Sequence, residues 1–130
     1  MEINSVKPSF KDERGTIQDI LINEPIEHIT VITSKRDVTR GNHYHKKTIQ
    51  WVYVHSGKLK SLTQKENENV VIRNLEPGDL IKTEALEKHA LKALEDSIFY
   101  VFTKGPRGGD NYENDTYRLD KDLEDFTEKE

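Results

Sequence analysis

The sequence predicts an all-β protein, a sandwich or barrel of short strands that ends in a short helical tail. Short runs of β-branched and aromatic residues follow one another along the chain, which is typical of strands. Clusters of Gly, Pro, Asn and Asp separate these runs and provide turn residues. Helical spacing occurs only near the C-terminus, where apolar residues recur four and three positions apart at Leu119, Leu123 and Phe126.

The individual strands follow from the same signals. After a short edge strand within residues 1–13, the predicted strands are 16–22, 28–34, 50–55, 59–64, 70–75, 80–83, 89–94 and 98–104. The segment 28–34 is β-branched almost throughout. Ser56-Gly57-Lys58 joins two strands as a hairpin, and Pro77-Gly78 supplies the centre of another tight turn.

Length and composition limit the classes of function. The 130 residues predict a single domain over 1–130, with a core at about 14–104 and a tail at 105–130. The net charge is −4 and no basic block is present, which argues against a nucleic-acid partner. No apolar run could span a membrane, the N-terminus lacks a signal-peptide pattern, and no cysteine provides disulfide or thiolate chemistry. We therefore expect a cytoplasmic protein that binds neither nucleic acid nor membrane.

The densest group of chemically active residues is the segment Arg40-Gly41-Asn42-His43-Tyr44-His45-Lys46, which is followed by Gln50 and Gly57. Alternate side chains of an extended chain share a face. His43 and His45 should therefore point the same way, with Tyr44 on the opposite side. Two imidazoles directed into one space can form a metal site, an acid/base pair or a polar patch.

The spacing Gly-x-His-x-His-x(4)-Gln-x(6)-Gly, from Gly41 to Gly57, resembles the first motif of the cupin superfamily, in which Glu is more common at the Gln50 position. Pro77-Gly78-Asp79 followed by His89 resembles the second motif, without its usual proline and glycine before the histidine. Within the superfamily, the segment from Arg40 to Lys46 is similar to the sugar-nucleotide 3,4-ketoisomerases. Asp12-Glu13-Arg14-Gly15 resembles the lead-in that they share with dTDP-4-dehydrorhamnose 3,5-epimerases. The resemblance implies a cupin-type jelly-roll β-barrel that forms a homodimer.

The resemblance also implies an isomerase or epimerase of a nucleotide-linked 4-keto-6-deoxy sugar that works without a cofactor, in polysaccharide or deoxysugar biosynthesis. Such a reaction removes a proton beside a carbonyl and returns it elsewhere through an enediol. Imidazole, whose ordinary pKa is near 6.5, suits both steps, so His43 and His45 are the candidate catalytic residues. Arg40 and Lys46 could bind the anionic substrate, and Gln50 could orient the substrate or a histidine.

Two alternatives remain open at the level of the sequence. In a metal-dependent cupin, either an oxygenase or a sugar-carbonyl enzyme, His43, His45, Gln50 and His89 would bind Zn, Fe, Ni or Mn. Gln in place of Glu removes a negative charge from such a site and weakens it. The second alternative is a non-catalytic module that binds a small molecule in the same barrel.

Four other side chains receive structural interpretations. His28 and His55 lack partners at a diagnostic spacing and are interpreted as structural residues. Trp51 and Tyr53 alternate with Gln50 and should face outward, as a sheet-packing or dimer surface.

Overall fold

Two five-stranded antiparallel sheets form the body of the protein, as described by a computed structural model that covers residues 2–5, 10–106 and 114–126. Within these residues the strands are β1 (Glu2–Ser5), β2 (Phe10–Asp12), β3 (Gly15–Ile17), β4 (His28–Ser34), β5 (Thr39–Tyr44), β6 (Ile49–Ser56), β7 (Leu59–Gln64), β8 (Val71–Leu75), β9 (Asp79–Thr83), β10 (Lys88–Ala93), β11 (Ser97–Lys104) and β12 (Tyr117–Arg118). The predicted all-β class is confirmed. The strands predicted from 28–34 onward match β4 and β6–β11 to within one residue at each end.

The chain crosses between the two sheets at most of its connections. Sheet I has the strand order β1-β9-β6-β11-β4, and sheet II has the order β12-β5-β10-β7-β8. Strands β2 and β3 form a separate ribbon. Successive strands β4, β5, β6 and β7 thus alternate between sheets, as in a jelly roll, and most pairs join residues distant in sequence.

The apolar core lies between the two sheets. Sheet I contributes Val52, Val54, Ile81, Phe99 and Val101, and sheet II contributes Leu59, Leu75 and Ala93. Each of the larger side chains stabilises the fold by about 1.5–3 kcal/mol through burial. The strict alternation of buried and half-buried residues along β11 shows that one face of this strand is inside.

The outer face of sheet I carries a second apolar cluster of Trp51, Tyr53 and Leu80. The irregular segment after β3 covers it with Ile20, Leu21 and Ile26. The prediction of a strand over 16–22 is therefore wrong beyond Ile17, because the apolar residues of this segment pack on a sheet rather than pair within one. Trp51 and Tyr53 face away from the core as predicted, but they are only 5% and 8% exposed, and the chain itself covers them.

The C-terminal segment is attached to the strand that carries His43 and ends directly before His45. Strand β12 pairs with β5, and a short 3-10 helix follows at Leu123–Phe126, which confirms the predicted helical turn. Leu123 is fully buried against Leu62 and Ala90, and its amide donates a hydrogen bond to Oδ1 of Asn42 at 2.9 Å. The tail therefore helps to fix β5 in position.

Among the described residues, no helix has the length and apolar character needed to cross a membrane.

Candidate functional site

A row of polar side chains lies beside the apolar core, on the inner faces of both sheets. On sheet I the register sets His28 opposite Thr103, and Gln50 opposite both Thr103 and Thr83. On sheet II it sets His89 opposite His43 and Thr63. Directly opposed residues share a face of the sheet, and core residues two positions along the same strands show that this face is inside. We call these residues the polar row: His28, Thr103, Gln50, Thr83, His43, His89 and Thr63.

Three histidines form a buried cluster at the polar row. His43, His45 and His89 are 7%, 1% and 7% exposed. Their ring centroids lie 4.8 Å apart for His43 and His45, 4.7 Å for His43 and His89, and 5.0 Å for His45 and His89. One nitrogen from each ring lies within 4.8 Å of the others. The two histidines of the first motif thus share one space with the histidine of the second.

Gly41 allows β5 to approach β10 closely enough to set this geometry. Its φ of 101° lies in the left-handed region that glycine adopts without strain. A Cβ at this position would lie 2.8 Å from the backbone oxygen of His89. The pairing of β5 and β10 is shifted between His89 and Ala90, which indicates a β-bulge. Gly41 makes room for this bulge, at which His43 lies opposite His89.

The backbone oxygen of Asp115 fixes the tautomer of His45. Nδ1 of His45 lies 2.6 Å from this oxygen. A carbonyl oxygen can only accept, so Nδ1 carries the proton and Nε2 is left with its lone pair. In the neutral imidazole this tautomer has its lone pair on Nε2.

The carboxylate of Asp115 holds the turn that follows His45. It accepts hydrogen bonds from the amides of Lys46, Lys47 and Thr48, at 3.0, 2.8 and 2.8 Å, and from the Thr48 hydroxyl at 2.9 Å. Burial raises the pKa of Asp115, but these hydrogen bonds together outweigh it and hold the pKa below its usual value. Asp115 is therefore ionised at neutral pH.

Sequence reasoning did not identify Asp115. It lies 70 positions after His45, in a tail whose sequence signals only turns and a short helix. A contact between residues this far apart has no signature in spacing or periodicity, so the sequence offers no signal that could have found it.

Gln50 reaches the cluster from sheet I. Its Nε2 lies 3.2 Å from Nε2 of His89, while Nδ1 of His89 lies 3.1 Å from the backbone oxygen of Glu87. The carbonyl again requires a proton on Nδ1, so the amide of Gln50 donates to the lone pair of His89 Nε2. Gln50 is thus hydrogen-bonded to His89, while a role in orienting the substrate or a histidine stays a prediction.

Arg40 and Lys46 lie outside the three-histidine cluster. The guanidinium of Arg40 donates to Oγ of Ser34 at 2.7 Å and to the backbone oxygen of Thr33 at 3.0 Å. Nζ of Lys46 lies 4.3 Å from the centre of the Tyr117 ring. Both residues are exposed. The structure thus brings together His43, His45, His89 and Gln50, and it places the two basic residues at the periphery.

Two antiparallel sheets around a core, with histidines facing inward at the edge of that core, define a cupin-type jelly roll. The chain belongs to the family described as polysaccharide biosynthesis C-terminal domain, whose model matches residues 10–117. No curated protein sequence matches the chain significantly.

Several solved structures share the fold. A double mutant of the QdtA 3,4-ketoisomerase from Thermoanaerobacterium thermosaccharolyticum, in complex with TDP, is 25% identical with a TM-score of 0.75, over 91% of this chain and 86% of that one. Another mutant of that enzyme, in complex with TDP-4-keto-6-deoxyglucose, is 21% identical with a TM-score of 0.75, over 98% and 94%. The dTDP-4-dehydrorhamnose 3,5-epimerase from Sulfolobus tokodaii is 20% identical with a TM-score of 0.65, over 74% and 65%.

Proposed function

We propose that the protein is an isomerase or epimerase of a nucleotide-linked 4-keto-6-deoxy sugar, in the manner of a 3,4-ketoisomerase. Membership of a polysaccharide-biosynthesis family and likeness to a 3,4-ketoisomerase that binds TDP support this class of substrate. The observation that carries the proposal is the contact of His45 Nδ1 with the backbone oxygen of Asp115, because the neutral imidazole then has its lone pair on Nε2, at a buried cluster.

In this proposal His45 removes a proton from the carbon next to the sugar carbonyl. The electron pair of the broken C–H bond forms the enediol double bond, and the carbonyl oxygen receives a proton. The hydroxyl of the neighbouring carbon then gives its proton to a histidine and becomes the new carbonyl, while the electron pair of the enediol double bond takes up a proton at the first carbonyl carbon. In this proposal His43, whose ring centroid is 4.8 Å from that of His45, is the second proton carrier.

Gln50 and the basic residues would position the substrate. Gln50 holds His89 through its amide, and its carbonyl oxygen would accept from a sugar hydroxyl when substrate binds. Arg40 uses two of its donor nitrogens on β4, and its third nitrogen could bind a diphosphate oxygen. Lys46, at the other end of the motif and beside Tyr117, would add positive charge.

Conversion of sugar nucleotides tests the proposal. The purified protein should convert TDP-4-keto-6-deoxyglucose to a keto isomer or epimer with a new set of ring-proton signals in the NMR spectrum. His45→Asn should abolish the conversion, whereas His55→Asn, which changes an exposed histidine, should not. Binding without turnover across TDP- and UDP-linked 4-keto sugars would instead indicate the non-catalytic module.

A metal-dependent enzyme is the second candidate, because the three buried histidines form a set of three nitrogen donors. Neutral imidazole suits Zn²⁺, Fe²⁺, Ni²⁺ and Mn²⁺, and one nitrogen from each ring lies within 4.8 Å of the others. The amide of Gln50 donates to Nε2 of His89, so this nitrogen would have to exchange its hydrogen bond for the metal. When bound, a metal would polarise the sugar carbonyl as a Lewis acid.

Metal analysis of protein purified without an affinity tag separates the two candidates. If the enzyme works without a metal, its metal content should be substoichiometric, and it should keep full activity after treatment with a chelator. A stoichiometric transition metal that is lost in both His45→Ala and His89→Ala would establish the second candidate instead.

We also propose that the protein forms a homodimer through the outer face of β4. This strand lies at the edge of sheet I, and its outward side chains Ile29 and Val31 are 68% and 59% exposed. A second copy would remove this apolar surface from water, which is energetically favourable. Light scattering should report a dimer that Val31→Lys dissociates, while Val38→Lys, at an exposed turn residue, should leave it intact. A monomeric wild-type protein would rule this interface out.

A further inference from the structure

His28 lies in the polar row, although nothing in its sequence context suggests a functional role. The register sets it opposite Thr103 on β11, and Thr103 lies opposite Gln50 on β6. Directly opposed residues share a face. The side chain of His28 therefore projects from sheet I toward the same interior as Gln50, which reaches the three-histidine cluster.

The environment of His28 differs from that of a structural histidine. Its Nδ1 is buried and has no hydrogen-bond partner among the described residues. Buried polar atoms in folded proteins nearly always have a partner, so each exception requires an explanation. His55, in contrast, is exposed on the outer face and makes an edge contact with Tyr100, with ring centroids 5.7 Å apart.

The position of His28 also fits the dimensions of a sugar ring. Neighbouring strands lie about 4.8 Å apart, and packed sheets about 10 Å apart. His28 is two strands from Gln50 and on the opposite sheet from His43 and His89. A sugar bound between the two sheets would therefore meet His28 on one wall and the histidine cluster on the other. The next inward position on β4, Thr30, is exposed, so this side of the interior is open to a ligand.

We propose that His28 is a substrate-contacting residue that hydrogen-bonds an oxygen of the sugar ring from the wall opposite the three histidines. This proposal rests on the proposed function and assigns the sugar, rather than the nucleotide, to the space between the two sheets. His28 does not take part in the proton transfers. It holds the ring so that the reacting carbons face His45.

Binding measurements separate a contact of His28 with the sugar from a contact with the nucleotide and from a role in the fold. TDP and TDP-glucose, which carries no ketone and does not react, are titrated by calorimetry into wild type, His28→Phe and His28→Gln. Phe keeps a ring in place but has no ring nitrogen, while Gln keeps a hydrogen-bonding group. A single neutral hydrogen bond predicts that His28→Phe binds TDP-glucose about five- to tenfold more weakly. Its affinity for TDP should stay within about twofold of wild type, and His28→Gln should recover part of the loss.

Each other outcome overturns the proposal. Unchanged TDP-glucose affinity in His28→Phe would show that His28 does not touch the sugar, while the proposed function would stand. Equal losses for TDP and TDP-glucose would assign His28 to the nucleotide or to the fold. His55→Phe, with thermal unfolding of all variants, controls for a general effect of replacing a histidine. A wild-type protein that binds neither ligand would overturn the proposed function as well.

Discussion

Nδ1 of His45 donates a hydrogen bond to the backbone oxygen of Asp115 at 2.6 Å. The same aspartate closes the turn after His45 with its carboxylate. One tail residue thus fixes both the proton on the imidazole and the backbone beside it. The orientation of the candidate base depends on a segment that follows the last long strand.

Removal of the Asp115 carboxylate should therefore loosen the site and the fold together. Asp115→Ala leaves three amides and the Thr48 hydroxyl without their acceptor, and buried donors without partners each cost about 1–3 kcal/mol. We expect a loss of about 3 kcal/mol in the free energy of unfolding, measured with urea, and a clear fall in kcat. Asp120→Ala, at an exposed position of the same tail, is the control. Equal stability of the two variants would contradict the role of Asp115.

The pH dependence of stability provides an independent check on Asp115. Its pKa is lower in the folded protein than the ordinary value of 3.8, so the ionised carboxylate stabilises the fold above that value. This stabilisation is lost as the pH falls through the lower, folded-state pKa. The difference in unfolding free energy between wild type and Asp115→Asn should be constant near neutrality and shrink below about pH 4. A difference that grows on acidification would show that the pKa of Asp115 is raised rather than lowered in the folded protein.

Substitution of Gly41 should be destabilising for two reasons: its positive φ, and the His89 backbone, which leaves no room for a Cβ. Gly41 and Gly78 have similar φ values of 101° and 95°, but a Cβ meets the His89 backbone only at Gly41 and open space at Gly78. Both alanine variants should lose about 1 kcal/mol or more from the unfavourable φ. Gly41→Ala should lose more stability in thermal unfolding and also lose activity. Equal effects of the two substitutions would mean that the bulge does not position His89.

Gln50→Glu should convert the cluster toward a metal site. A carboxylate beside three imidazoles adds the negative charge that a divalent cation requires, and it cannot donate to His89 Nε2. We expect tighter binding of Zn²⁺ or Ni²⁺ by calorimetry, together with slower isomerisation. Gln64→Glu, on β7 and outside the polar row, controls for added charge. Unchanged metal affinity in Gln50→Glu would show that Gln50 does not face the cluster closely enough to be a ligand.

The local parts of this structure could be predicted from the sequence, whereas contacts across the fold could not. Alternation and turn residues located β4 and β6–β11, and the spacing of His43 and His45 placed both on one face. The apolar residues Ile20 and Leu21 misled the strand prediction because a covering segment is as apolar as a strand. Asp115 was not identified, because its contact with His45 joins residues 70 positions apart. Arg40 and Lys46 are close to the histidines in sequence, but their side chains extend to β4 and to Tyr117.

The most direct test of the central claim is hydrogen exchange at the sugar carbons in D₂O. Wild type incubated with TDP-4-keto-6-deoxyglucose should incorporate deuterium at a carbon next to the carbonyl, detected by NMR and by a mass increase. His45→Asn should show no incorporation above the uncatalysed rate, and His55→Asn should match wild type. Incorporation at the wild-type rate by His45→Asn would contradict His45 as the base. No incorporation by wild type across 4-keto sugar nucleotides would contradict the isomerase and the epimerase alike.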